Sequence, residues 1–428
     1  MALFRPRFPG AAPCAALCAA LAFALPCLAQ TGAAEPAPLV LGAAIARALG
    51  QNPDIAAARR EQDATGGALT QARLLPNPEL SALEEDLRRG RRTSSLQLTQ
   101  PIELGGKRAA RTAVAERGRD LATQGLQQVR ANIRASVVAA FYEVLIAQER
   151  IRLAAESVAL AQNATLVASK RVAAGKVSPV EETRARVAEA AVRVEALQAE
   201  GALRAARQRL SSLWGEPVPR FSSAAGPLAV PPQEPSDRFV DDHLRQSPAL
   251  RQAQLELERR RSLVELERAR AVPNIAVTVG AKRLQEAGVT QAVLGISIPL
   301  PVFDRNQGNL AEALSREDKA RDELAATELR LATDVAQARE RLRSARAEAL
   351  TLERDALPGA RSAFDAASRG FALGKFSFLE ALDAQRTYFL TQAQYLRALA
   401  DTYRAASDIE RLLSIQEDEP GLTLPAQP

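Results

Sequence analysis

The sequence predicts a mainly α-helical chain that is duplicated internally and carries four short β-strands. Two observations indicate this fold: long stretches contain neither proline nor glycine, and a set of landmarks occurs twice. Pro76-Asn77 recurs 197 residues later as Pro273-Asn274, and Gly175-Lys176 recurs 199 residues later as Gly374-Lys375. Solenoid repeats are only about 20–50 residues long. The long and nearly constant spacing therefore indicates two copies of one domain.

We expect five segments along the chain. They are a signal peptide (1–29), a first structural repeat (30–214), a Pro-rich linker (215–236), a second structural repeat (237–415) and a C-terminal tail (416–428). Each repeat is expected to hold a helix, a β-hairpin, a long helix, a helix turn and a further helix. The linker contains six prolines and, with the tail, is expected to wrap the middle of the helical bundle.

The N-terminus has the order of a secretory signal peptide. Arg5 and Arg7 precede an apolar stretch that is too short to span a membrane, and cleavage is expected after Ala29. All three cysteines fall in this segment, so the mature chain is expected to form no disulfide and no thiol metal site. Pro26, directly before Cys27, disfavours a lipid anchor at that cysteine.

Composition narrows the class of function. No later run of about 18 apolar residues is present, so the exported chain is either soluble in the periplasm or crosses an outer membrane as β-structure. The net charge is +6, with both signs interspersed as on a solvated helical surface. Basic runs at 88–92 and 259–261 do not indicate nucleic-acid binding, because the chain is exported and only 4% of its residues are aromatic, too few for base stacking.

Long uninterrupted helices dominate the prediction. Residues 107–173 contain no proline, and their apolar residues recur at three- and four-residue steps, which predicts one helix of 67 residues, about 100 Å long. The other helices are predicted over 180–215, 309–357, 360–373 and 377–413, with a break at Pro358-Gly359. Alanine is the commonest residue along these helices, which favours close packing into a thin-walled bundle or tube.

Each copy also contains two short segments with period-two alternation of apolar and small polar residues, the pattern of a β-strand with one apolar face. The segments are 79–83 and 95–99 in the first copy, and 275–279 and 294–298 in the second. They are either strands that span an outer membrane or periplasmic hairpins that cap the bundle. Known single-chain barrels start at about eight strands, so membrane-spanning strands would require several chains to share one barrel.

No group of residues in the sequence indicates catalysis or cofactor binding. The single histidine, His243, has no partner motif, and a surface or capping role is expected for it rather than metal ligation. Gly105-Gly106-Lys107 lacks the spacing and the ending of a phosphate-binding loop, and a strand-to-helix turn explains it. We therefore expect neither an enzyme nor a bound cofactor or metal.

The duplicated Gly-Lys-x-Ser turn predicts a helical hairpin in each copy. Gly175 and Gly374 are expected to end one helix as C′ residues, and Ser178 and Ser377 to begin the next as N-caps. Beyond the second turn, two acidic residues three positions apart share one helical face, and a solvated acidic face is the default interpretation of such a pair. These residues are Glu380 and Asp383.

The duplicated plan and two motifs resemble the TolC-type outer membrane efflux proteins. The first motif is Arg369-Gly370-Phe371-Ala372-Leu373-Gly374-Lys375-Phe376-Ser377-Phe378-Leu379-Glu380-Ala381-Leu382-Asp383-Ala384-Gln385-Arg386. The second is Gln100-Pro101-Ile102-Glu103-Leu104-Gly105-Gly106-Lys107-Arg108, which resembles the heavy-metal, CzcC-like branch. The resemblance covers essentially the whole mature chain.

The resemblance implies a homotrimer in the outer membrane, in contact with its lipid. Three chains would complete a twelve-stranded β-barrel, and their helices would extend it as a tunnel across the periplasm. The implied function is a passive exit duct for heavy-metal cations, fed by an inner-membrane efflux pump and a periplasmic adaptor protein. Alternatives are the exit duct of a multidrug or type I protein-secretion system and, from a different class, a periplasmic coiled-coil adaptor or scaffold.

The resemblance also assigns roles to residues. The two helix turns would form the adaptor-docking tip, through Val172, Gly175, Lys176, Val177, Ser178, Phe371, Gly374, Lys375, Phe376 and Ser377. Glu380 and Asp383 match pore-facing acidic residues, so three copies would form a carboxylate ring that favours cations and whose mutual repulsion raises the carboxylate pKa values. The first copy has Glu181 and Arg184 at the equivalent steps. Phe376 occupies the position at which other members of the family carry a gate-locking arginine. The phenylalanine favours an apolar constriction of the tunnel instead of a salt-bridge lock.

Overall fold

A computed structural model describes residues 38–86, 88, 90–228 and 232–413 of the 428-residue chain. The predicted signal peptide and C-terminal tail lie outside the described residues. Within these ranges no helix is both long and apolar enough to cross a membrane.

The two copies build the same order of elements. The first copy consists of α1 (Leu41–Gln51), α2 (Pro53–Arg73), β1 (Glu79–Glu85), β2 (Thr93–Ile102), α3 (Lys107–Ala173) and α4 (Pro179–Ser212). The second consists of α5 (Asp237–Leu244), α6 (Pro248–Arg270), β3 (Ile275–Leu284), β4 (Val289–Ser297), α7 (Gln307–Thr351), a π-helical segment (Leu352–Ala356), α8 (Leu357–Ala372) and α9 (Phe378–Leu413). The mainly helical class with four strands is therefore confirmed.

The longest helix, α3, has the bounds that the sequence predicts. It begins after Gly106, which adopts a left-handed conformation, and ends before Gly175, which does the same. Its apolar stripe packs into the main core, where Val137, Phe141 and Val144 are almost fully buried. Tyr142 of α3 stacks on Tyr403 of α9 with ring centroids 3.7 Å apart, which joins the two copies at mid-height.

The predicted helix break at Pro358-Gly359 is wrong. The chain stays helical from Gln307 to Ala372, and the irregularity is the π segment immediately before α8. A proline in a helix removes one N–H donor and crowds the carbonyl four residues earlier. A π turn is wider than an α turn, so it accommodates Pro358 at the first turn of α8 without ending the helix.

The four strands form one antiparallel sheet in the order β1-β2-β3-β4. The two hairpins join through β2 and β3, whose pairing runs from Thr93 opposite Leu284 to Ile102 opposite Ile275. Each strand is longer than predicted: β2 and β4 begin earlier than predicted, at Thr93 and Val289, whereas charged residues continue β1 and β3 beyond their apolar segments. For example, Lys282 of β3 binds Glu85 of β1 across β2, with 3.1 Å between Nζ and Oε2.

The described part of the linker lies against the middle of the long helices. Gln148 of α3 donates to the Ala224 carbonyl over 2.9 Å and accepts from the Ala224 N–H over 2.7 Å. Glu234 accepts hydrogen bonds from Arg339 and Arg343 of α7, each at 2.8 Å. These contacts fasten the linker to α3 of the first copy and to α7 of the second.

Candidate functional site: the sheet and the hairpin tips

The sheet has one apolar face and one face that is richer in polar side chains. Alternate residues of a strand point to opposite sides, and the pairing register places most of the large apolar residues of the four strands on one side. That side carries Leu80, Leu96, Leu98, Val277, Val279, Leu294 and Ile296. The other side carries Ser81, Gln97, Thr99, Thr278 and Gln291. Because Leu294 is 82% exposed, the described part of the chain does not cover the apolar face.

The outer edges of the sheet are open. β1 pairs only with β2 and β4 only with β3 among the described residues, so one long side of each has no strand partner. Open backbone edges and an exposed apolar face are not stable in lipid without a neighbouring strand. One chain therefore provides part of a larger sheet.

The turn between β2 and α3 packs closely against the segment directly before β3 in the second copy. Gly105 has φ of +70°, and a Cβ added there would lie 2.7 Å from Cβ of Val272, so only glycine fits. The Lys107 ammonium donates to Oδ1 of Asn274 over 2.5 Å. The predicted strand-to-helix turn at Gly105-Gly106-Lys107 is thus present, and it fixes the first copy against the second.

At the opposite end of the helices, the two predicted turns have the same geometry. The N–H of Lys176 bonds to the Arg171 carbonyl and the N–H of Gly175 to the Val172 carbonyl, both at 2.9 Å. The N–H groups of Lys375 and Gly374 make the same pair of bonds in the second copy. This is the Schellman pattern, and both glycines adopt the left-handed conformation that it requires. The predicted C′ glycines are confirmed, and Ser178 and Ser377 are N-caps as predicted.

The two turns also contact each other through a residue that sequence reasoning missed. Arg171 donates to the Phe371 carbonyl over 2.7 Å, and its guanidinium lies 4.3 Å from the centroid of the Phe371 ring. Aligning the two copies places Arg171 at the position of Gly370. A Cβ on Gly370 would lie 2.1 Å from the Phe376 ring, so this glycine lets Phe376 fold back onto α8. The two copies differ at this position, with arginine in the first and glycine in the second, and this difference is the sequence signal that could have identified Arg171.

Glu380 and Asp383, the two carboxylates predicted to line a gate, have different surroundings. Glu380 accepts hydrogen bonds from the backbone N–H and the hydroxyl of Ser377, at 2.7 and 2.8 Å, and Ser377 in turn accepts from the Glu380 N–H. This reciprocal capping box lowers the pKa of Glu380. Within one chain, the direction is opposite to the rise expected from repulsion in a carboxylate ring. Asp383 is exposed and has no hydrogen-bond or ion-pair partner among the described residues.

The chain offers no pre-built metal centre in the ranges described above. Groups of three or more His, Cys, Asp or Glu residues arranged to hold an ion are absent there. The ring of His243 stacks on Phe239 at 3.9 Å between centroids, and its Nδ1 lies 2.8 Å from the Phe239 carbonyl. These contacts give His243 a structural role within α5.

An apolar sheet face with open edges, joined to helices of this length, is the arrangement of a channel subunit that is completed by further copies. A family model described as outer membrane efflux protein matches residues 44–216 and 239–414. The chain therefore belongs to the outer membrane efflux protein family. The predicted family, and the predicted location in the outer membrane with the helical part in the periplasm, are confirmed.

Particular relatives are similar over most of the chain. The cobalt-zinc-cadmium resistance protein CzcC of Cupriavidus metallidurans is 48% identical over 88% of this chain and 90% of its own length. The nickel-cobalt-cadmium resistance protein NccC of Alcaligenes xylosoxydans xylosoxydans is 30% identical over 59% of each chain. A crystallised membrane protein from Pseudomonas aeruginosa has the same fold, with a TM-score of 0.76, 21% identity, and coverage of 87% of this chain and 90% of its own.

Proposed function

We propose that the chain is the outer membrane duct of a tripartite efflux system, assembled as a homotrimer. The observation that carries this proposal is the open-edged sheet, with an exposed apolar face on one side and hydroxyl and amide groups on the other. Three copies would close a twelve-stranded barrel with its apolar face toward outer membrane lipid and its more polar face toward the lumen. The long helices would continue this lumen through the periplasm.

The proposed substrates are heavy-metal cations. The support is the 48% identity to a protein named for cobalt, zinc and cadmium resistance, together with the likeness to one named for nickel, cobalt and cadmium. The duct would act passively: it would hydrolyse nothing, hold no cofactor and receive its cargo from an inner-membrane pump. In this mechanism the chain contributes a continuous, hydrated path, and the pump contributes energy and selection.

We propose the two helix turns as the docking surface for a periplasmic adaptor. The turns have matched backbone geometry, and the side chains of Lys176 and Lys375 are exposed on them. Leu373 is 72% exposed beside Phe376, which gives the second turn an apolar contact surface. The complete proposed surface is Val172, Gly175, Lys176, Val177, Ser178, Phe371, Gly374, Lys375, Phe376 and Ser377.

We propose Glu380 and Asp383 as the gate residues near this end of the tunnel. Glu380 is committed to the N-cap of α9 and retains its negative charge because its pKa is lowered. Asp383 is free of such contacts among the described residues and follows one turn later on the same helix. In a trimer, three copies of each would place fixed negative charge on the path of the cations.

Gene deletion tests the proposed function. A deletion strain would be exposed to cobalt, zinc, cadmium and copper salts and to a panel of drugs and dyes. It would be complemented with the wild-type gene or with Gly374→Trp, which places a bulky side chain where φ is +73° and where the adaptor is proposed to dock. Gly359→Trp would be the control, because space is open around Gly359 on the neighbouring helix surface.

Metal hypersensitivity that wild type and Gly359→Trp rescue, but Gly374→Trp does not, is the expected result. Sensitivity to drugs alone would overturn the metal assignment in favour of a multidrug duct. A loss of protein export without any sensitivity would indicate the secretion alternative. Cleavage after Ala29 and the five segment boundaries remain predictions, and N-terminal sequencing of the mature protein checks the first of them.

A further inference from the structure

We infer that the β4 edge of one chain pairs with the β1 edge of a neighbouring copy in one defined register, in which Ser297 lies opposite Ser81. The inference rests on the proposed multimeric duct and goes beyond it, because it specifies which residues of two copies meet. Both strands are open edges in the part of the chain that the structure describes, and both serines are exposed.

The two hairpins have the same internal register. In the first hairpin, Leu80 lies opposite Leu98. Val277 lies 197 residues after Leu80, and Ile296 lies 198 residues after Leu98. These two residues also lie opposite each other, in the second hairpin. Strand β1 therefore corresponds to β3, and β2 to β4, residue by residue.

The chain already contains one strand pairing between its first and its second copy. In this pairing β2 joins β3, and Thr99 lies opposite Thr278. Their hydroxyl oxygens are 3.0 Å apart, and either can donate the hydrogen bond. By the same correspondences, Thr99 of β2 is equivalent to Ser297 of β4, and Thr278 of β3 is equivalent to Ser81 of β1. Hydroxyl residues therefore occupy both equivalent positions on the open edges.

The inferred register keeps the two faces of the sheet continuous from one copy to the next. Neighbouring strands alternate in direction, so β4 meets the β1 of another copy antiparallel, as β2 meets β3. The register places Ile296 opposite Ala82 and would place Ile298 opposite Leu80, all on the apolar side. A slip of one residue would place apolar side chains opposite the polar face, which a sheet between lipid and water does not tolerate.

The inferred register also brings two loops together where the strands join the helices. Because β2 corresponds to β4 and β3 to β1, the β4–α7 loop would lie beside the α2–β1 loop of the next copy. Within the chain, the equivalent loops meet through Lys107 and Asn274. The β4–α7 loop carries Phe303, which is 91% exposed, and the α2–β1 loop carries Leu75, which is 66% exposed. A neighbouring copy in the inferred register would cover both side chains.

Engineered cysteines test the register. Residues 30–428 contain no cysteine, so the double variant Ser81→Cys/Ser297→Cys introduces the only thiols of the mature chain. Outer membranes containing this variant would be oxidised with copper phenanthroline and analysed on non-reducing gels. The expected result is covalently linked multimers, because each bond joins two chains. Thr99→Cys/Thr278→Cys is the positive control, whose bond forms within one chain and leaves a monomer on the gel.

The matched negative control is Ser81→Cys/Val293→Cys. Val293 lies on the same strand face as Ser297, but about 13 Å further along the strand. Multimers from the Ser297 pair and none from the Val293 pair would support the inference. Two outcomes would overturn the register: stronger cross-linking between chains in the Val293 variant, or no cross-linking in a Ser297 variant that still rescues metal resistance. Both outcomes would leave the proposed function intact. A wild-type chain that is monomeric in the membrane would overturn both.

Discussion

Arg171 and Phe371, which are 200 residues apart in the sequence, join the two hairpin tips of the chain through one hydrogen bond and one ring contact. The guanidinium donates to the Phe371 carbonyl over 2.7 Å and lies 4.3 Å from the centroid of its ring. The core beneath this contact is small: it centres on Ala168 and Ala185. Few buried apolar contacts imply low local stability. The relative position of the tips therefore depends strongly on Arg171.

We expect Arg171→Ala to loosen the tips and to raise single-channel conductance in planar bilayers. A cation–π contact and a charged hydrogen bond are worth about 1–3 kcal/mol together, so the loss shifts a tip held by few other contacts. Arg171→Lys is the control, because it keeps the positive charge but loses the planar guanidinium. Unchanged conductance in the alanine variant would show that other contacts hold the tips.

We expect Asp383→Asn to reduce the cation selectivity of the channel more than Glu380→Gln does. Asp383 has no partner among the described residues, whereas the Glu380 carboxylate is held by Ser377. Glutamine also fits the capping box, so Glu380→Gln removes a charge without removing the cap. Reversal potentials in asymmetric salt measure the selectivity. Equal reversal potentials for wild type and Asp383→Asn would exclude Asp383 from the pore.

We expect Gly105→Ala to lower thermal stability more than Gly106→Ala does. Both glycines have positive φ, which costs an alanine about 1–2 kcal/mol. Only at Gly105 does the new Cβ also collide with Val272. Gly106→Asn should be nearly neutral, because Asn306 adopts the same conformation at the equivalent position of the second copy, with φ of 62°. Melting of the helical circular dichroism signal in detergent checks the order.

We expect the stability difference between wild type and Glu234→Gln to disappear in acid. Hydrogen bonds from Arg343 and Arg339 lower the pKa of Glu234 in the folded chain. A carboxyl group with a lowered folded pKa stabilises the fold above its unfolded pKa of about 4.5 and loses this contribution as pH falls through the folded value. Melting temperatures measured from pH 3 to pH 7 should therefore differ near neutral pH and approach each other as the pH falls below 4.5. A constant difference across this range would mean that the charge of Glu234 contributes nothing.

The sequence predicted the elements that are marked by local signals. Helix α3 was predicted with its correct ends because left-handed glycines border it. The ends of β1 and β3 were predicted too early, because charged residues such as Lys282 look like loop residues until their partner across the sheet is known. Pro358 indicated a break because the cost of a proline is local, whereas the π turn that accommodates it depends on packing along the whole helix.

The candidate site was predicted unevenly for the same reason. The glycine and serine positions of the two turns follow from backbone rules that act over a few residues. The contact between Arg171 and Phe371 depends on how α3 packs beside α8, which no local rule specifies. The capping role of Glu380 was available from the spacing of Ser377 and Glu380, but the acidic pair was interpreted as a charged face and, by resemblance, as pore-facing residues.

The open edges of the sheet also determine how the duct can be made. Among the described residues, a single chain exposes two unpaired strand edges and an apolar face. Such surfaces aggregate non-specifically until the chain has assembled with other copies. Closure requires several copies to meet, so the yield of finished ducts should rise more steeply than the rate of synthesis. A fall in expression would then reduce the number of finished ducts more than proportionally, so the level of synthesis would determine how many ducts the outer membrane holds.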